Sequence, residues 1–148
     1  MVRPSGETPV FVAIPLLVLP VLLYNLDLLL QPGGMRAAGL VAQLAGPVVT
    51  IPMASGAAWP VTVGDLYMAA ALIVLFIELV KSRPSRKAAI VNHALSLVLF
   101  VACLVEFLLL KGFATSVFFL IALMVLLDVL AGFIVTIASS RRDADLHG

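Results

Sequence analysis

The chain has 148 residues, of which 63% are hydrophobic and 11% charged, with a formal net charge of +1. Soluble domains average roughly 45–50% apolar and about 25% charged residues, so this composition reads as an integral membrane protein. The nine Lys and Arg residues form no large basic patch, so no nucleic-acid partner is expected. A spanning helix needs about 20 mostly apolar residues. The length therefore holds four spans, five at most, and no separate soluble catalytic domain.

Residues 1–9 are a short polar lead with Arg3 and Glu7. Residues 10–30 are apolar, interrupted by Pro15 and Pro20. A cleaved signal peptide would carry an apolar run of about 7–15 residues and a small-residue cleavage site. Here the run is longer and ends in Leu28-Leu29-Leu30-Gln31-Pro32. The expectation is an uncleaved first span over 10–30, kinked by its prolines as membranes allow, with Tyr24, Asn25 and Asp27 near its far interface.

The connection 31–64 is expected outside the membrane and irregular. Residues 37–45 suit a short helix lying along the membrane. The β-branched runs 48–53 and 58–63 flank Ala54-Ser55-Gly56-Ala57 and suggest a small β-hairpin. Pro52 and Pro60 restrict it to edge-like, irregular pairing, and Trp59 suits an interfacial anchor. A re-entrant segment or fifth helix is the alternative for this region.

A second span over 65–81 follows, with Asp65 placed as its N-cap, where a carboxylate accepts from free backbone N–H groups. Glu78 and Lys81 stand three apart on one face and suit an interfacial ion pair. The loop carrying Lys81, Arg83, Arg86 and Lys87 is the topology determinant, because short basic loops stay cytoplasmic. With four spans, Arg3, this loop and Arg141-Arg142 put seven positive residues inside and two (Arg36, Lys111) outside. Both termini are then cytoplasmic. The third and fourth spans, 88–110 and 114–138, fold back on each other at Lys111-Gly112, and the tail from Arg141 reads as frayed.

Chemistry-bearing residues concentrate in that last pair of spans. Asn92, Ser96, Cys103 and Glu106 share one face of the third span, interrupted by Leu99. Asp128, Gly132 and Thr136 line the fourth at steps of four, and Ser139 continues the line. Small and polar stripes of this kind bring membrane helices together. Asp128 lies about 21 Å from the outer end of its span, at about 1.5 Å per residue. A central Asp costs about 2.5–3.5 kcal/mol on insertion, so a partner is expected: Ser96 first, then His93 or Asn92. Glu106 lies one turn inside the outer end, within reach of Lys111 and Arg36.

An intramembrane acid invites a functional reading, so Asp128, Glu106, Ser96, His93 and Asn92 form a candidate intramembrane polar site. The plainer reading is a buried hydrogen bond for Asp128 and an interfacial pair for Glu106. No second histidine lies in a span to complete a haem site, His147 being in the tail, and neither a metal nor any other cofactor is expected. Cys103, the lone cysteine, reads as a small buried hydrophobe. The sequence contains no Gly-rich phosphate loop and no Ser–His–acid set on a shared face, so no enzyme is expected.

The stretches Ile51-Pro52-Met53-Ala54-Ser55-Gly56-Ala57-Ala58-Trp59 and Gly64-Asp65-Leu66 resemble small uncharacterised bacterial inner-membrane proteins. Phe76-Ile77-Glu78-Leu79-Val80-Lys81-Ser82, Asn92-His93-Ala94-Leu95-Ser96, Thr115-Ser116-Val117-Phe118-Phe119 and Asp128-Val129-Leu130-Ala131-Gly132-Phe133 extend the likeness from about residue 47 to 142. Such proteins carry no known activity to transfer. Small multidrug exporters are a different pattern, with their membrane glutamate in the first span.

The expected fold is therefore an all-α membrane protein, a four-helix bundle with an irregular external loop between the first two helices. The expected role is a non-enzymatic accessory or scaffolding subunit in a bacterial inner membrane, partnered by another membrane protein or by its own copies. The alternative is a small proton- or cation-coupled carrier or channel using Asp128 and Glu106.

Overall fold

The computed structural model describes residues 14–32, 34, 39–81 and 86–145, the backbone alone being described at 86–87, 135–136 and 138–145. Arg3, Arg36, Arg83 and His147 lie outside the described residues, as do the first residues of the expected first span. The side chains of Arg86, Lys87, Thr136, Ser139, Arg141 and Arg142 lie outside them too.

Helix α1 runs over Val18–Leu30, 13 residues, after a turn in which the Val18 and Leu19 N–H groups donate to the Pro15 and Leu16 carbonyls at 3.2 and 2.9 Å. Of the expected first span over 10–30, kinked by its prolines, the described helix covers Val18–Leu30, and residues 10–13 lie outside the described residues. Pro20 sits at the third helical position, where no intrahelical N–H bond is lost, so the helix starts at the proline-bounded turn. At about 1.5 Å per residue α1 is about 20 Å long, short of the roughly 30 Å hydrocarbon core.

The connection combines both expected features. Helix α2, Gly39–Ala45, buries Leu40 and Leu44. Strands β1, Pro47–Pro52, and β2, Ala58–Thr62, pair antiparallel with Thr50 opposite Pro60 and Ile51 opposite Trp59. The ladder is irregular between Pro47 and Val49. Gly56 closes the turn at φ 84°, a left-handed conformation that suits glycine. A fifth helix through 47–62 is thereby ruled out.

Helix α3, Val63–Val80, begins directly from β2. Its N-cap is Thr62, and Asp65 stands at the third helical position, which corrects the placement of Asp65 as the cap. Thr62 Oγ1 accepts from the Asp65 N–H at 3.2 Å, and Asp65 Oδ2 accepts from the Thr62 N–H at 2.8 Å, closing a capping box. Helix α4, Arg86–Leu109, and helix α5, Ser116–Asp145, are joined by a 3₁₀ turn at Lys111–Phe113. The expected frayed tail is corrected through Asp145, because neither Gly nor Pro interrupts the helix after Gly132.

The molecule is mostly helical, and Val63–Val80, Ala88–Leu109 and Ser116–Ile134 are long and apolar enough to cross a membrane. The buried positions recur at helical spacing. They are Leu17, Val21, Tyr24 and Leu28 around α1, Tyr67, Ala71, Leu75 and Glu78 on α3, and Ala88, Asn92, Ser96 and Cys103 on α4. Helix α5 packs on both α3 and α4 and is the most enclosed. At one end, aromatic rings of Tyr24, Phe113 and Phe118 pack in tilted and edge-to-face pairs with centroids 4.7–5.7 Å apart. The start of α1, the end of α3 and the start of α4 gather at the opposite, basic end; the hairpin lies at the loop end.

Candidate functional site

Among the described residues, polar side chains enter the bundle at three levels, each joining different helices. At the basic end Glu78 of α3 is fully buried. Its Oε2 accepts from the Leu16 N–H at 2.8 Å and its Oε1 from Asn92 Nδ2 at 3.1 Å. Lys81 Nζ stands 3.5 Å from Glu78 and donates to the Ile14 carbonyl at 3.0 Å. The Glu78–Lys81 pair is therefore as the spacing suggested, but its carboxylate is a buried junction of α1, α3 and α4 instead of an interfacial group. Sequence reasoning missed that role because an (i, i+3) charge pair looks the same on an exposed face.

The middle level joins α4 to α5. Ser96 Oγ donates to Asp128 Oδ2 at 2.6 Å, both residues being fully buried. One turn along, the His93 ring lies over Gly132 so closely that a β-carbon there would overlap it. The two stripes face each other as their spacing predicts, and Ser96 is the partner of Asp128. Asn92 is not: it turns to Glu78 on α3.

At the loop end Glu106 Oε2 accepts from Asn25 Nδ2 at 3.3 Å, so its partner is a neutral amide on α1 and not Lys111, which is exposed. Tyr24 is buried, with its hydroxyl 2.7 Å from Thr115 Oγ1 and 3.3 Å from the Gly112 carbonyl. Tyr67 donates to Asp27 across α1 and α3. Aromatic hydroxyls in a bundle usually have such a partner when buried.

The candidate site is thus divided. Ser96 and Asp128 come together, His93 lies one turn along against Gly132, Asn92 belongs to the Glu78 junction, and Glu106 stands apart. From Ser96 to Glu106 the α4 axis rises about 15 Å, and the interior there holds Ala71, Leu99, Cys103, Ile121 and Val125. That layer is apolar, so the described polar side chains form no continuous path. Among the described residues, no group of three or more His, Cys, Asp or Glu side chains is arranged to hold a metal.

Among the described residues, the class defined by this arrangement is a helical bundle with three membrane-length apolar helices, the shorter helices α1 and α2, and a two-stranded hairpin. Comparison with known proteins finds no matching family model, no matching curated protein and no matching solved structure.

Proposed function

We propose that this is a four-span membrane protein of the bacterial inner-membrane type, with α1 and the apolar residues before it as the first crossing and both termini cytoplasmic. Its role is non-enzymatic: an accessory or scaffolding subunit that binds another membrane protein. The observation that carries this reading is the connection between α1 and α3. Residues 37–64 contain no charged side chain, every residue of β1 is exposed, and Val48, Val49, Ile51 and Trp59 are all uncovered. An isolated two-stranded hairpin is marginal in water, and an apolar hairpin of this kind is suited to packing against another surface. The helix perimeter adds to it, with Leu72, Phe76, Val98, Leu108 and Ile134 exposed.

The alternative carrier reading draws on the full burial of Asp128. Against it stand the Ser96 donor that already engages one oxygen of the acid and the apolar layer separating it from Glu106. Purification of the tagged protein in mild detergent tests the leading reading. One co-purifying membrane protein in near-equal amount, lost in Trp59→Glu, supports it; a homo-oligomer with nothing attached overturns it. Asp128→Asn tests the alternative, because a carrier variant accumulates normally but loses flux in liposomes.

A further inference from the structure

The large side chains of the hairpin gather on one face. Residues opposite each other in an antiparallel pair point to the same side, and successive residues alternate. The pairs Val49–Val61 and Ile51–Trp59 therefore share a face, and Thr50–Pro60 and Pro52–Ala58 form the other. The first face is aliphatic and aromatic; the second holds only threonine, proline and alanine. Val61 is buried, so the first face meets the rest of the chain at its base. Val49, Ile51 and Trp59 continue that face outward, 39–52% exposed.

The depth of this face follows from α3. Its 18 residues are about 27 Å long, close to the roughly 30 Å hydrocarbon core, so in the membrane reading Val63 stands at the core boundary. Trp59 is at most about 13 Å from Val63 along β2. The two tyrosines and the one tryptophan of the chain are all at this end, and such residues collect at membrane–water interfaces. Residues 37–64 carry no charge, where a soluble stretch of that length averages about seven charged residues. Strand addition by a second copy is disfavoured. The Met53 N–H donates to the Ala57 carbonyl at 2.8 Å, and bonded and non-bonded pairs alternate along an antiparallel ladder. That phase turns Pro52 and Pro60, which have no N–H, to the two outer edges, and the outward Thr62 N–H is bonded to Asp65.

We propose that the hairpin lies in the lipid head-group layer at the loop end, with Val49, Ile51 and Trp59 turned to the acyl chains. The inference rests on the membrane reading above and deepens the accessory role, since a partner then meets the hairpin inside that layer. Trp59 is the only tryptophan, so the fluorescence of the full, unlabelled chain reports its position directly. The chain is reconstituted into phosphatidylcholine vesicles whose acyl chains carry bromine either near the glycerol or near the chain end. Iodide on both sides of the vesicle membrane is the aqueous quencher. Bromine near the glycerol is expected to quench Trp59 at least about twofold more than bromine at the chain end, and iodide to quench it about threefold less than free tryptophan. Full quenching by iodide with none by either lipid places the hairpin in water and overturns the inference. Protection from all three quenchers places protein over the face, and stronger quenching from the chain ends places Trp59 in the hydrocarbon core; each overturns it as well. An alkaline carbonate wash of cell membranes separates the failures. If the chain is released, the membrane reading falls and the inference with it; if the chain stays in the pellet, a failed quenching result removes the inference alone.

Discussion

Replacing Glu78 by Ala removes the acceptor at the junction of three helices and tests whether that junction organises the bundle. Among the described residues, the Leu16 N–H at 2.8 Å and Asn92 Nδ2 at 3.1 Å each lose the hydrogen bond to this carboxylate. Lys81 is not counted, because it keeps the Ile14 carbonyl and its side chain is 17% exposed. Hydrogen bonds between membrane helices average about 0.6 kcal/mol in double-mutant cycles, which sets a lower sum near 1 kcal/mol. An orphaned buried donor costs about 1–3 kcal/mol, so two set an upper sum near 6 kcal/mol. Reversible unfolding in mixed micelles of a mild detergent and dodecyl sulfate measures the loss. Glu78→Ala, Asn92→Ala and the double variant form a cycle with an expected coupling of about 0.5–2 kcal/mol. A Glu78→Ala loss below about 0.5 kcal/mol, or a strictly additive double variant, would refute the idea that the buried carboxylate ties these helices together.

Other expectations follow from the same geometry. Gly132→Ala places a β-carbon inside the His93 ring; a loss of about 1–3 kcal/mol is expected in the same unfolding assay, with most of it restored by His93→Ala. Thr62→Ala breaks the capping box at the start of α3 and is expected to cost about 0.5–2 kcal/mol, whereas Thr62→Ser costs much less. Tyr67→Phe leaves Asp27 without its hydroxyl donor and is expected to lower stability by about 1–3 kcal/mol; an unchanged unfolding midpoint would show that the contact contributes nothing. Asp128→Asn keeps an oxygen that can accept from Ser96, so accumulation in the membrane is expected to stay within about twofold, while Asp128→Leu falls further.

Much of the architecture is legible along the chain because it depends on local order. The step of four from Asn92 to Ser96, and from Asp128 to Gly132, identifies the faces that meet, since helical period alone decides which side chains share a face. The β-branched runs around Ser55-Gly56 mark the hairpin, because turn chemistry is local too. The sequence Thr62-Val63-Gly64-Asp65 also carries the capping-box pattern, which places the cap at Thr62 and the acid three residues on. What remained hidden was the choice of partner. Asn92 and Ser96 lie on one stripe, yet one turns to Glu78 on α3 and the other to Asp128 on α5.

By itself, then, the sequence determined the composition of an apolar bundle, the long helices, the hairpin and the polar faces of α4 and α5. Only the tertiary structure decided that Glu78 is enclosed and that Glu106 pairs with Asn25. Those outcomes depend on how far one helix is shifted along and rotated about its neighbour. Periodicity within one helix specifies a direction around its own axis and contains nothing about that offset.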